Sequence, residues 1–235
     1  MKKISSSNFQ TGQGVTEYAL LLLLIVGGLI LIVNLTGTSI TDLYCQAANG
    51  ISGGRACGQE TYCQDDFSGD GSGWQNLSGS PSLKNGQMCV AGYMQILNKC
   101  STQKKHSDYT INLNGVTLTQ GNGYGVYFRS ILTERGLDGY AFQYDPGAGN
   151  TLLIRRWING REVIAPIGKV PISTAIYNIP HDFKIVVKDD TFTVFMDGVQ
   201  VMTAQDKTYP TGGVGLRSWD STTACIDDFS ITRNP

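Results

Sequence analysis

The feature that most constrains the fold of this 235-residue chain is a period of two. Beyond Tyr62 the runs YTINLNGVTLT, YGVYFRSIL, GYAFQYD, TLLIRRWI, FKIVVKD, TFTVFMDG, VQVMTA, GGVGLRSW and CIDDFSIT are short and rich in β-branched and aromatic residues. Glycine, asparagine and aspartate separate them. Successive side chains of a strand point to opposite faces, so runs of this kind bury one face and expose the other. Asp197-Gly198 and Asn159-Gly160 stand between alternating runs, and such dipeptides adopt the positive-φ turns of tight hairpins. No helical pattern separates these strands, which predicts an all-β sandwich from residue 62 to residue 235.

The N-terminal part reads differently. Residues 11–34, TGQGVTEYALLLLLIVGGLILIVN, follow a leader whose only charges are Lys2 and Lys3. Every residue from Ala19 to Val33 is apolar or glycine, and Val15 and Tyr18 extend the run toward the roughly 20 residues that cross a bilayer. The lysines predict a cytoplasmic leader and an exported remainder. SITDLYCQAA continues the helix through Ile40, Leu43 and Tyr44, and the glycine-rich NGISGGRACG breaks it. The expected fold class is α+β, a long N-terminal helix, transmembrane at first, followed by an all-β sandwich. Its expected parts are a leader at 1–12, the helix at 13–48, a stalk or hinge at 49–61 and the sandwich at 62–235.

Charge is sparse and balanced, 18 Lys and Arg against 19 Asp and Glu, which leaves no basic footprint for nucleic acid. Six cysteines, Cys45, Cys57, Cys63, Cys89, Cys100 and Cys225, all follow the apolar run, and none forms a CxxC pair. With only two histidines in the chain, zinc is a poor reading, and an even count on the exported side points to disulfides in an oxidising compartment. The expected set is Cys45–Cys57 and Cys89–Cys100, closing short loops, with Cys63–Cys225 joining the ends of the globular part.

Glu17 is the one carboxylate at the mouth of the apolar run. A negative charge at a helix start suits the macrodipole. A sharper reading comes from its neighbours. GQGVTEY followed by ALLLLL resembles the class III signal of type IV pilins, both the Flp pilins of tight-adherence systems and archaeal pilins. The resemblance implies that a prepilin peptidase cuts after Gly12 and leaves a new α-amine at Gln13, with Glu17 fifth and Tyr18 sixth in the mature chain. It implies further that Glu17 pairs with the α-amine of a neighbouring subunit in a helical homopolymer raised by an inner-membrane pilus assembly machinery. An unpaired carboxylate in such a core costs several kcal/mol, so the pair sets register.

The order of the β pieces is similar to the concanavalin A-like, or laminin G-like, jelly roll. The matching pieces are Asp65-Asp66-Phe67, Ser72–Trp74, Asp197-Gly198, Gly212–Ser218 and Asp227-Asp228-Phe229. The resemblance implies first and last strands side by side, which agrees with Cys63–Cys225. It also implies a candidate structural Ca²⁺ with Asp66 and Asp228 among its ligands; no other cofactor is expected. Glucanases of this fold carry a Glu-x-Asp-x-Glu-like pattern on one strand. That pattern is absent here: Glu134 and Asp138 bracket a glycine turn, and Asp189-Asp190 sit in a hairpin. The chain is therefore not expected to be an enzyme. Trp157, Trp219 and Tyr124, with Tyr127 and Tyr140, are candidates for a glycan-stacking platform, or they fill the core. Asn76-Leu77-Ser78 is a glycosylation sequon.

Together these readings predict a structural pilin subunit of a surface filament that displays a β-sandwich outside the cell for adhesion. A membrane-tethered, lectin-like carbohydrate-binding domain, or a minor tip pilin, is the alternative. The expected partners are further copies of the chain, the peptidase, the assembly machinery and surface glycans.

Overall fold

Alternation organises the chain into strands whose inward residues are large and apolar. The computed structural model describes residues 18–20, 22, 23, 25, 60–173 and 175–234. The strands in chain order begin with β1 (Thr61–Asp65), β2 (Trp74–Ser78), β3 (Ser82–Lys84), β4 (Gln87–Ala91) and β5 (Met94–Asn98). A six-residue helix, Lys99–Lys104, is capped by the Asn98 side chain and leads to β6 (Tyr109–Gln120). Next come β7 (Tyr124–Thr133), β8 (Gly136–Asp145), β9 (Thr151–Ile158), β10 (Arg161–Glu162) and β11 (Gly168–Pro171). The series closes with β12 (His181–Lys188), β13 (Thr191–Met196), β14 (Val199–Gln205), β15 (Gly213–Ser218), β16 (Thr223–Ile226) and β17 (Asp228–Thr232).

These strands form two antiparallel sheets. The first has the order β14-β13-β12-β6-β16-β4-β3, with β17 also on β6 and β1 on β17. The second has the order β10-β9-β8-β7-β15-β5-β2, with β11 on β9. Ile111, Leu113, Phe183, Ile185, Phe192 and Val194 of the first sheet share one core with Val126, Phe128, Phe142, Tyr144, Ile154 and Leu216 of the second. Rings meet across the layers: Phe142 and Phe183 lie 5.3 Å apart, and Phe128 meets Phe192 edge-on at 5.0 Å. Burying each such side chain contributes about 1.5–3 kcal/mol, so this interior is the main source of stability. The two expected hairpins form, with φ of 51° and 78° at Asp197-Gly198 and 53° and 72° at Asn159-Gly160.

The last run, CIDDFSIT, is not one strand. Asp227 interrupts it, and its amide donates to the Asn114 carbonyl at 3.0 Å. Opposite stands Gly115 at φ 63°, where a Cβ would lie 2.1 Å from Asp227 Oδ2. A glycine is needed there both for the backbone angle and for the space. On either side of the break, β16 pairs with the second half of β6 and β17 with the first half.

Several expectations are corrected. Among the described residues the protein is nearly all β, so the α+β class with its long helix is replaced by an all-β sandwich. Tyr18, Ala19, Leu20, Leu22, Leu23 and Ile25 are helical and exposed. No helix among the described residues is long and apolar enough to cross a membrane. Gly12, Gln13, Glu17, Cys45 and Cys57 lie outside the described residues. Among the described residues the disulfides are Cys63–Cys100 and Cys89–Cys225, replacing Cys89–Cys100 and Cys63–Cys225. The terminal strands are indeed neighbours, with Cys63 opposite Ile231. Cys225, however, precedes the break at Asp227 and so faces Cys89 of β4, with Cα atoms 4.1 Å apart. Cys63 reaches the short helix instead.

Non-reducing peptide mapping is therefore expected to recover Cys63 linked to Cys100 and Cys89 linked to Cys225. A Cys89→Ala/Cys225→Ala double variant is expected to lose about 2–4 kcal/mol in urea unfolding, because its bridge closes a long loop.

Candidate functional site

The second sheet has an outer face as distinctive as its inner one. Val126, Phe128, Phe142, Ile154 and Leu216 point into the core, so their neighbours project the other way. Strand register then lines up two rows. Gln95, Arg217, Gly125, Gln143 and Leu153 form one, and Leu97, Gly215, Tyr127, Ala141 and Arg155 form the next. Trp157 and Glu162 pair across β9 and β10 beside them. Leu97, Tyr127, Leu137, Ala141 and Trp157 make a second apolar cluster, separate from the sandwich core.

Arg217 lies at the centre of this face and is only 6 % exposed. Its guanidinium is 4.5 Å from the ring of Trp157, 4.5 Å from that of Trp219 and 5.8 Å from that of Tyr127. Tyr127 and Trp157 meet edge-on at 5.2 Å, which holds the first two walls of the cage. Glycine at 125 leaves the space that Arg217 crosses, since a Cβ there would stand 3.2 Å from Arg217 Cγ and 3.1 Å from Gln143 Cβ. Arg217 Nη1 donates to Gln143 Oε1 at 3.0 Å and to Glu162 Oε2 at 2.8 Å. Arg155 Nη1 donates to Glu162 Oε1. Gln143 Nε2 in turn donates to Asp145 Oδ2 and Glu162 Oε1, both at 3.3 Å. Gln95 Nε2 donates to the Tyr127 hydroxyl at 2.7 Å.

Burial pushes the Glu162 carboxyl up, but the charge and hydrogen bond of Arg217, joined by those of Arg155, outweigh it and hold the group below its ordinary value. Burial also raises the Tyr127 phenol, which stays neutral. The face thus offers aromatic walls, fixed donors and an ionised acceptor. That combination suits a ring that is apolar on one side and carries hydroxyls at its rim.

Of the residues singled out in the sequence, Trp157, Trp219 and Tyr127 come together around Arg217. Trp157 is buried, and Trp219, just beyond β15, is half-buried. Tyr124 and Tyr140 point into the sandwich. Tyr124, 4 % exposed, packs against Tyr144 and Phe183, and Tyr140 stacks on Phe128 with its hydroxyl donating to Asp206. Asp66 sits in an exposed turn, where the hydroxyl and amide of Ser68 hold its carboxyl below the ordinary value. Asp228 Oδ1 accepts from Asn114 Nδ2 at 2.8 Å. No group of three or more His, Cys, Asp or Glu side chains able to hold a metal occurs among the described residues. Asn76 is exposed on β2, with its amide donating to the Gly79 carbonyl. It borders a cavity of about 310 Å³ whose lining includes Trp74, Leu83, Met88 and Ile96. Arg217, Glu162, Arg155 and Gln143 were not singled out beforehand. A charged residue within a buried strand, as Arg217 is in GVGLRS, is the signal that marks Arg217.

No family model and no curated protein matches this chain. Solved structures do. The chain is similar to the carbohydrate-binding module CBM66 from Bacillus subtilis, at 23 % identity over 68 % of this chain and 95 % of that one, with a TM-score of 0.55. It is similar to the Emp47p carbohydrate recognition domain, at 13 % identity over 73 % of this chain and 94 % of that one, with a TM-score of 0.53. It is also similar to a Bacillus licheniformis β-glucanase, at 12 % identity over 75 % of this chain and all 100 % of that one, with a TM-score of 0.55. These likenesses establish the fold, a jelly-roll sandwich of the galectin-like kind. They concern the β-sandwich, and no helix among the described residues is the long apolar one on which the filament reading stood.

Glu162 supplies stability while ionised. Its folded value is depressed, so its contribution is complete above the unfolded value and is lost as pH falls through the folded one. Urea midpoints measured between about pH 5 and pH 3 are expected to fall more steeply for the native chain than for Glu162→Gln, which is less stable at neutral pH.

Proposed function

We propose that the chain is a non-catalytic carbohydrate-binding module that takes a sugar on the outer face of its second sheet. The observation that carries this reading is the guanidinium of Arg217 caged by Trp157, Trp219 and Tyr127 and anchored on Glu162 and Gln143. Structural framing alone does not call for a buried cation on a sheet face, because an apolar side chain of similar volume is usually as stable or more so. Trp219, the half-buried wall, is the surface for the sugar ring, and the polar groups beside it read the hydroxyls. The fold is shared with a carbohydrate-binding module and a carbohydrate recognition domain, which supports the same reading.

A binding role fits the chemistry better than hydrolysis. Glu162 is held ionised by two arginines, the opposite of what a general acid needs. The paired disulfides favour an oxidising, extracytoplasmic setting, where glycans are the natural partners.

The test is a glycan array followed by calorimetry on the hits. Trp219→Ala is expected to weaken the best ligand about two- to tenfold while leaving the circular dichroism spectrum unchanged, as loss of one stacking wall is worth about 0.5–1.5 kcal/mol. Binding that is indifferent to Trp219, or release of reducing ends from the bound glycan, overturns the proposal.

A further inference from the structure

The cage around Arg217 has more donors than acceptors. Arg217 uses Nη1 for Gln143 and Glu162, but its Nε, on the other edge of the guanidinium, is buried without a partner. Among the described residues no acceptor stands against its Nη2 either. Arg155 repeats the pattern, with Nη1 on Glu162 and a buried, unpartnered Nε. The indole Nε1 of Trp157, itself only 5 % exposed, is a third buried donor with no acceptor. The acceptors present are already committed: Glu162 takes both arginines, and the Tyr127 hydroxyl takes Gln95.

Leaving buried donors unmade is costly, so the complement of this face is a group rich in acceptors. A neutral sugar hydroxyl answers one donor and brings a proton that needs an acceptor of its own. A carboxylate brings two oxygens, no proton, and a planar shape that matches two parallel N–H groups of one guanidinium. The Nε–Nη2 edge of Arg217 is such a fork. The indoles of Trp157 and Trp219 lie 4.5 Å from it, and its opposite corner is pinned by Gln143 and Glu162. A fork held from three sides loses little freedom on binding. Arg155, Arg217, Glu162 and Asp145 together balance in charge, so one further anion meets no net negative field.

We infer that the site takes an acidic saccharide, a sugar whose ring carries a carboxylate. The carboxylate lies on the unpartnered Nε–Nη2 edge of Arg217 and the ring lies against Trp219. This inference rests on the carbohydrate-binding reading and narrows it to uronate-type sugars.

The experiment is calorimetry on the full chain with oligomers of galacturonate, glucuronate, mannuronate and guluronate, each beside its methyl ester, plus a panel of neutral oligosaccharides. The ester keeps the ring and removes the charge. At least one acid is expected to bind tenfold or more tightly than its ester. Arg217→Lys, which keeps the charge and removes the fork, is expected to lower that ratio severalfold. Arg155→Gln is the second variant, read in the same way should Arg217→Lys fail to fold, and is expected to lower the ratio severalfold. Equal affinity for acid and ester, or binding confined to neutral oligosaccharides, overturns the inference and leaves the carbohydrate-binding reading standing. Absence of binding to every saccharide tested overturns both.

Discussion

A cation laid on the outer face of a β-sheet is the interaction on which this candidate site depends. Removing the Arg217 guanidinium from water costs several kcal/mol unless charge and hydrogen bonds replace the lost hydration. Glu162 supplies the charge, Gln143 a further acceptor, and three aromatic rings cover the faces. Each partner constrains the next. Glu162 is in place only because the two-residue β10 folds back on β9, and Trp157 keeps its position through its contact with Tyr127. Glycine at 125 keeps its row open where the long side chain crosses. The face is thus organised around one charge.

The sandwich beneath it is shaped by two less obvious devices. At Asp227 the last run of the chain breaks, so that β6 receives β16 on one half and β17 on the other. That break directs Cys225 to Cys89 and leaves β17 free to carry β1. At another place a second buried arginine, Arg129 of β7, ties loop segments of the first sheet to the second. Its side chain donates to the carbonyls of Ser107, Asp189 and Tyr209, while its amide donates to the hydroxyl of Tyr109. Buried carbonyls in loops need donors, and one guanidinium has five N–H groups to offer.

Much of the sandwich was legible in the residues. The runs from Tyr109 onward became β6 to β9 and β12 to β17, and both Asp-Gly and Asn-Gly hairpins turned where those dipeptides stand. Strands β1 to β5 were less visible, because they are short and their alternation is interrupted by polar residues, as in WQNLS and SLK. The site was half legible. Trp157, Trp219 and Tyr127 were among the candidates, yet Tyr124 was placed beside them although it differs from Tyr127 by an odd number of positions. On one strand that difference sends the two rings to opposite faces. Glu162 was silent in the sequence, since nothing local indicates that a residue in a short turn-flanked strand will meet Arg217 from the far side of the sheet.

By itself, then, the sequence determined which residues share a face within each strand, where the tight turns fall and that cysteines would be bridged. These properties follow from the alternating direction of Cβ atoms, from the positive φ that Asn-Gly and Asp-Gly tolerate, and from an even number of thiols. Tertiary structure decided which strands became neighbours, and with that which cysteines paired and which charges met. The backbone ladder is the same for any two strands and so carries no address. The address is written only when inward side chains of distant strands pack into one core and the outward ones, Arg217 and Glu162 among them, are brought face to face.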